Sequence, residues 1–297
     1  VVCCGLGFPW GTYNGGKASG TVWYDMQRSF DAMSSSPLDL GKMMNMPGVQ
    51  FLNLSDLEGM QPEAKKIKKK KEKPKEFPEL EISGGLALNL SVGGINVHAV
   101  ERFAQMGGGI LWFPTMDARV FQEHKHKDDP TFDASVYLQA TDGRGTLLPE
   151  AEAVLKLAAH HNLIVATGHL SAEEGLCVVR EGKRLGVKQM ILTHVEHPAL
   201  HYSDEQQQEA ASLGAYIEHS YNNAWFGRCT IEEIARQIRA VGCEHVILTT
   251  DFGQLDAPFS DDGLEEYAVQ LQKLGFSLDE LETMLCKNPA AILSGQA

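Results

Sequence analysis

The fold of this chain is decided by four short apolar segments: LIVATGH (163–169), KQMILTH (188–194), AYIEH (215–219) and EHVILTT (244–250). Each segment has the length and the continuous apolar character of a strand that is buried on both faces of a parallel sheet. A helical pattern separates each segment from the next, and the strand–loop–helix unit recurs every 25–31 residues. Because parallel strands need such helical crossovers, the sequence predicts a βα repeat.

The helices of this repeat have recognisable start and stop signals. A hydroxyl side chain followed three residues later by Glu or Gln predicts a capping box, in which the two residues satisfy each other's free backbone N–H groups. Such pairs are Ser171 with Glu174, Thr230 with Glu233, Ser277 with Glu280 and, in a weaker version, Ser203 with Gln206. Glycine commonly ends helices, and the predicted ends are Gly186, Gly214, Gly242 and Gly275.

Three further segments are typical of strands: VVCCGLG (1–7), GGLALNL (84–90) and GILWFPT (109–115). The total is one strand fewer than a closed (β/α)8 barrel contains. The segment VQFLNL (49–54) is either an extra strand or part of an insertion. We predict an α/β fold, a (β/α)8 TIM-like barrel that is either complete or lacks its first strand. An open doubly wound sheet is the alternative.

The chain of 297 residues with 43% hydrophobic content is long enough for one large barrel, and we predict a single domain, residues 1–297. An irregular insertion is predicted at about residues 20–80. It contains the lysine-rich segment KKIKKKKEKPK (65–75), a block of like charge that is typical of a flexible, solvated loop. The first residue is Val1, and we expect that residues precede it in the complete protein.

Composition excludes several classes of partner. The formal net charge is −13, and broad affinity for nucleic acid needs a basic surface. No apolar stretch reaches the roughly 20 residues of a membrane helix. The six cysteines form no CxxC pair, which indicates free thiols in a reducing compartment. We therefore expect a cytoplasmic protein that binds a small molecule, and association into a homo-oligomer stays open.

Chemistry-bearing side chains follow the predicted strands at a constant interval. His169, His194 and His219 are each 25 residues from the next, and Asp251 follows the fourth segment. The carboxyl ends of barrel strands converge on one mouth, and imidazole and carboxylate groups are ligands of catalytic zinc. The sequence therefore predicts a divalent metal site among these side chains. Asp251 is either a ligand that also accepts a proton from water or the cap of the following segment.

Further residues near the same mouth are predicted to shape a substrate pocket: Asp117, His197, Glu218, His219 and Gln254. Asp117 is alternatively a turn or helix cap. Glu218 and His219 are adjacent on a strand, so they point to opposite faces and only one of them can face the barrel axis. If that one is His219, Glu218 can pair with a neighbouring helix. Glu196 is placed to orient His194 as a supporting carboxylate.

Other features of the sequence are weaker evidence for function. The long connection 117–146 is predicted to be a charged loop that holds His124 and His126 in solvent. A GxSxG elbow, a P-loop and a GxGxxG turn that opens a helix are all absent from the sequence. These absences argue against a serine nucleophile and against nucleotide binding at a glycine-rich loop.

The chain resembles the amidohydrolase superfamily of metal-dependent hydrolases in ATGHLS (166–171), ILTHVEHP (191–198), YIEHS (216–220), ILTTDFGQ (247–254) and the ending NPAAIL (288–293). The resemblance implies that His169 and His194 are the metal histidines of the fifth and sixth strands and that Asp251 is the eighth-strand aspartate. It also implies hydrolysis of an amide, ester or related bond by a divalent ion, usually zinc.

The same resemblance implies an HxH pair on the first strand, and no histidine precedes His98 in this sequence. Two explanations stay open: the pair lies on a segment before Val1, or the protein has lost it. The predicted function is therefore metal-dependent hydrolysis of a small molecule. The alternatives are a catalytically inactive barrel that serves as a binding or scaffold protein, and a lyase-type enzyme that uses its histidines without metal.

Overall fold

The computed structural model describes residues 84–254 and 256–295. They contain six parallel strands in one sheet: β1 (Gly85–Ala87), β2 (Ile110–Trp112), β3 (Ile164–Ala166), β4 (Met190–Leu192), β5 (Tyr216–Ser220) and β6 (Val246–Thr249). Each strand pairs with the next one in the sequence. The predicted strands from GGLALNL onward are thereby confirmed. VVCCGLG, VQFLNL, the insertion and the lysine-rich segment lie outside the described residues.

Helices connect successive strands and pack on one face of the sheet. They are α1 (Val97–Gln105), α2 (Arg119–Lys125), α3 (Pro149–His161), α4 (Ala172–Leu185), α5 (Asp204–Ser212), α6 (Tyr221–Trp225) and α7 (Ile231–Val241). After β6 come α8 (Ser260–Lys273), α9 (Leu278–Glu282), a π-helical turn (Thr283–Lys287) and α10 (Asn288–Ser294). Among the described residues, no helix is both long and apolar enough to cross a membrane.

The strand order runs from β1 to β6 without a reversal. A doubly wound sheet has a switch point at which the strand order reverses, so the described sheet favours the barrel over that alternative. Closure into eight strands stays a prediction, because the first predicted strand lies outside the described residues.

Buried side chains form two apolar layers, one on each face of the sheet. Trp112, Ile191 and Ile247 belong to the layer on one face. The much larger layer on the other face packs between strands and helices and includes Leu111 and Leu192. Because neighbours on a strand alternate between faces, this division fixes the direction of the side chains within the strands, such as those of Glu218 and His219 in β5.

Three of the four predicted capping boxes form completely, at Ser171, Ser203 and Ser277. Thr230 accepts a hydrogen bond from the backbone N–H of Glu233, so the fourth helix start is capped through the threonine hydroxyl. Gly186 and Gly242 occupy the C-cap positions of α4 and α7. The local signals therefore set the helix boundaries as predicted.

The prediction of a loop over 117–146 is wrong in part, because α2 occupies Arg119–Lys125. Gln122 is buried, and Phe121 packs partly buried against the core, so one face of α2 is held by tertiary contacts. Glu123 and Lys125 are exposed on the helix, and the other charged residues of QEHKHKDDP follow its end, so the charged run concealed the helix. His124 and His126 consequently lie at the end of a helix.

Candidate active site

His194 and Asp251 follow β4 and β6 in an unusual backbone conformation. Their φ angles are +47° and +52°, and they are two of only four non-glycine residues with positive φ in the described part of the chain. Such a left-handed conformation costs an ordinary residue roughly 1–2 kcal/mol. The fold therefore bears a cost in conformational energy to direct these two side chains toward the same place.

The His194 ring lies between two carboxylates. Its Nδ1 atom is 3.5 Å from Glu218, and its Nε2 atom is 3.5 Å from Asp251. Burial alone would lower the pKa of His194, but the charges of Glu218, Asp251 and Glu196 outweigh it and raise the pKa above its ordinary value. The pKa values of Glu218 and Asp251 are raised by burial, against the charge of His194. Asp251 keeps 26% of its side chain exposed and so faces the mouth.

His169 completes the predicted group from the end of β3. Its ring centroid lies 5.7 Å from that of His194, and its Nδ1 atom is buried without a hydrogen-bond partner among the described residues. Burial, with added repulsion from His194 and His197, holds the pKa of His169 well below its usual range. His169 is therefore a neutral imidazole at physiological pH, which is the form that binds metals.

The position of His169 depends on a close contact between two strand ends. The His169 backbone N–H donates to the carbonyl oxygen of Pro114 at 2.9 Å, and the Gly168 N–H donates to the hydroxyl of Thr193 at 3.2 Å. Gly168 has a φ of +63°, and a Cβ atom at that position would lie 2.3 Å from the carbonyl oxygen of Phe113. Only glycine fits this approach, and it brings the end of β3 against the end of β2.

Glu218 and His219 point to opposite sides of β5, as predicted. Glu218 accepts a hydrogen bond from the Thr249 hydroxyl at 3.0 Å and lies on the side of His194. His219 is completely buried on the other side, where its Nδ1 atom lies 3.1 Å from Glu196. Glu218 is thus the member of the pair that contacts the candidate metal residues, while the burial of His219 favours a structural role.

Glu196 acts as a clamp between the loop after β4 and the following elements. Its carboxylate accepts hydrogen bonds from the Ser220 backbone N–H at 2.9 Å and from Asn223 at 2.8 Å, besides its contact with His219. Burial raises the pKa of Glu196, but the hydrogen bonds with His219 and Asn223 and the charge of His219 outweigh it and lower the pKa. The prediction that Glu196 orients His194 changes accordingly: the carboxylate holds β5 and α6, and it acts on His194 through its charge.

Glu196→Gln is expected to lower the free energy of unfolding by about 1–3 kcal/mol, because a neutral amide cannot accept all three hydrogen bonds. Urea unfolding at neutral pH, followed by circular dichroism, measures the change. Glu205→Gln is the control. It makes the same chemical change at an exposed glutamate at the start of α5, whereas Glu196 is buried. Equal losses in the two variants would contradict the clamp.

The remaining predicted pocket residues occupy different parts of the mouth. Asp117 accepts a hydrogen bond from the Leu90 backbone N–H at 2.8 Å, so it caps a turn, which is the alternative stated for it. His197 is half-buried, with its ring parallel to that of His169 at 6.3 Å. Burial and the charge of His194 lower the pKa of His197 to about 3. Gln254 is exposed and donates to the backbone of Asp251 at 3.3 Å. Their roles toward a substrate stay predictions.

The donor set suits a divalent ion in chemistry. Two imidazoles and a carboxylate are ligands of catalytic zinc sites, and the unpartnered Nδ1 atom of His169 supplies a donor without another use. Within residues 84–254 and 256–295, however, no three such side chains converge on one coordinating point. His194 and Asp251 are thus in contact, and the ring of His169 lies beside them at a centroid distance of 5.7 Å from that of His194.

Two functional candidates were not singled out from the sequence: Asn222 and Arg228. The Asn222 backbone N–H donates to the carbonyl oxygen of Thr250 at 2.9 Å, and its side chain donates to that of Asp251 at 3.1 Å. Arg228 donates to the Asn222 side chain at 2.5 Å. Neither residue ends a strand, so the strand-end pattern could not indicate them.

The fold of this chain, a parallel sheet with helical crossovers, is similar to that of solved amidohydrolase structures. An amidohydrolase from Pseudomonas aeruginosa superposes with a TM-score of 0.50 at 15% identity, over 68% of this chain and 68% of that one. The probable dipeptidase PvdM from Pseudomonas aeruginosa gives 0.49 at 13% identity, over 68% of this chain and 66% of that one. The predicted resemblance is confirmed at the level of fold.

The chain belongs to the family of unknown function DUF6282, whose model matches residues 50–218. This range includes His169, His194 and Glu218 and ends before Asp251. No curated protein matches the chain in sequence.

Proposed function

We propose that this protein is a metal-dependent hydrolase in which His169, His194 and Asp251 hold a divalent ion, zinc being the first choice, at the carboxyl ends of β3, β4 and β6. The observation that carries the proposal is the left-handed backbone of His194 and Asp251, whose side chains meet at 3.5 Å. A strained backbone at two contacting polar residues is typical of functional sites. The cytoplasmic location and the homo-oligomer stay predictions.

A divalent ion held by these residues would supply Lewis-acid chemistry: it would lower the pKa of water to roughly 7 and polarise the bond to be cleaved. The protein's own residues then divide the work. Asp251 is partly exposed at the mouth, so its carboxylate is placed to accept the proton of the attacking water and to return it to the leaving group. Glu218 lies behind His194, where it fixes the orientation of the ring. His197 is neutral and adds no charge to the mouth.

Metal content tests the proposal directly. Purified wild-type protein is expected to carry about one divalent ion per chain, and His169→Ala/His194→Ala is expected to lose it, because metal affinity depends on the number of ligands. Inductively coupled plasma mass spectrometry gives the content. The matched control is His98→Ala/His160→Ala, which removes two exposed imidazoles from α1 and α3. Equal metal content in the two double variants would reject the site.

A second candidate function is a barrel that binds a ligand without catalysis. It is favoured by the observation that no three donors converge on one point within the described residues. Wild-type protein that is folded, free of metal after growth in zinc-supplemented medium, and inactive toward ester and amide probes would support this candidate over the hydrolase.

A further inference from the structure

Arg228 lies at the mouth, close to Asp251. It follows α6, the short helix after β5, and its backbone N–H donates to the carbonyl oxygen of Asn223 at 2.8 Å. Elements that follow a strand lie at the carboxyl end of the sheet, where the candidate active site is. The Arg228 side chain is exposed, so its guanidinium is accessible to a ligand that enters the mouth.

Asn222 fixes the position of this guanidinium relative to the site. Arg228 donates to the Asn222 side-chain oxygen at 2.5 Å, and the Asn222 amide donates to the Asp251 backbone oxygen at 3.1 Å. Two hydrogen bonds therefore link the arginine to the residue that is proposed to handle the proton. A guanidinium carries five donors in a rigid fork, and the bond to Asn222 leaves further donors for a ligand.

The charges around the site indicate which kind of ligand Arg228 can bind. The carboxylates of Glu218 and Asp251 flank His194, Glu196 acts on the same ring through its charge, and all three would repel an anion. Burial is the largest single influence on the pKa values of His194, His197 and Asp251, although the neighbouring carboxylates raise that of His194 overall. The positive charge of Arg228 lowers all three pKa values, so Arg228 acts on each of these groups. An exposed cation beside a group of acidic residues would be a poor way to bind a neutral or cationic substrate, but it suits a negatively charged one.

An aromatic surface lies on the same short helix. Trp225 is 40% exposed, and its ring contacts Phe252, the neighbour of Asp251, at a centroid distance of 5.9 Å. A flat apolar side chain that stays exposed beside a polar site is suited to stack against the body of a ligand. The mouth thus presents an aromatic face at the last residue of α6 and a guanidinium three residues beyond it.

We infer that Arg228 is a substrate-binding residue that forms a charge-assisted, bidentate pair with a carboxylate of the substrate, while Trp225 contacts the apolar part of the same molecule. The substrate class is a small organic carboxylate. The inference rests on the proposed function for the location of the site, but it requires neither a bound metal nor turnover, so the two can fail separately.

Paired probes of equal shape test the inference. Benzoate carries the carboxylate and an aromatic ring, and benzamide is its neutral counterpart. Ligand-observed NMR titration of the full chain gives a dissociation constant for each. Wild-type protein is expected to bind benzoate at least about tenfold more tightly than benzamide, because charge-assisted hydrogen bonds are the stronger kind. Arg228→Met is expected to reduce this preference to about twofold or less, and Arg228→Lys to keep part of it.

Arg102→Met is the matched control. Arg102 is an exposed arginine at the end of α1, and helices between parallel strands end at the opposite side of the sheet. The control is expected to keep the preference for benzoate. Equal binding of the two probes by wild-type protein, no binding of either probe, or an unchanged preference in Arg228→Met would each overturn the inference. An unchanged preference in Arg228→Met is also the result expected if benzoate binds directly to a metal and not to Arg228.

The same samples separate the two proposals. A metal-free wild-type protein that prefers benzoate through Arg228 would contradict the hydrolase and support the carboxylate site. A metal-containing wild-type protein that ignores the charge of the probe would do the reverse.

Discussion

Asp251→Asn is expected to lower the rate of hydrolysis of an activated ester, such as para-nitrophenyl acetate, by about 10²–10⁴-fold, the usual contribution of a positioned acid–base group. Asparagine has the shape of aspartate and tolerates the left-handed backbone that residue 251 adopts at a φ of +52°. It cannot accept the proton of the attacking water. The variant therefore removes the chemistry and retains the local conformation.

Two further variants distinguish this loss of hydrolysis rate from unfolding of the protein. Asp251→Ala removes the same carboxylate and in addition places an alanine in the left-handed region, so we expect the same loss of rate together with a lower free energy of unfolding, by about 1 kcal/mol. Asp279→Asn, at an exposed position in α9, is expected to change neither quantity. Substantial activity in Asp251→Asn, measured with initial rates after metal loading, would contradict the role of Asp251.

The strand ends were predictable because a parallel sheet imposes its own period on the sequence. A βα unit must cross back over the sheet before the next strand starts, so side chains that follow successive strands recur at an almost constant interval. His169, His194 and Asp251 follow β3, β4 and β6 in this way. The capping signals at Ser171 and Ser277 are equally local, because each depends on residues within a single helical turn.

Tertiary contacts explain what the sequence did not show. The adjacency of Glu218 and His219 required opposite faces, but the choice of face depends on which layer each residue meets. Tyr216 packs with the smaller apolar layer and Ile217 with the larger one, and this places Glu218 toward His194. In the same way, α2 is a helix because its buried face packs on the core, which a run of charged residues does not reveal.

The left-handed backbone at His194 and Asp251 is likewise determined by tertiary contacts. Neither residue type requires this conformation, so no pattern in the sequence indicates it. The surrounding fold enforces it: the Glu196 carboxylate anchors the loop after β4 to β5 and α6, and Asn222 holds the backbone of Asp251 from α6. Arg228 is linked to the site through this same asparagine, by a contact that only the folded chain creates.

Gly168→Ala is expected to destabilise the protein more than any other single methyl addition discussed here, by about 4 kcal/mol or more, a range reached only through a specific structural conflict. The added Cβ atom would lie 2.3 Å from the carbonyl oxygen of Phe113 and 2.6 Å from that of Pro114. Both are backbone atoms, and β2 and β3 are held in register by their pairing, so neither side can yield without breaking sheet hydrogen bonds. The φ of +63° adds a further cost for a residue with a Cβ atom.

Gly107→Ala isolates the conformational part of this effect. Gly107 has a φ of +81°, and a Cβ atom there would meet nothing within 4 Å. Its substitution is therefore expected to cost about 1 kcal/mol, from the left-handed backbone alone. Urea unfolding monitored by circular dichroism compares the two variants. A similar loss in both would mean that the ends of β2 and β3 can separate. In that case His169, whose backbone N–H is bound to Pro114, would not be held in the fixed position that a metal ligand needs.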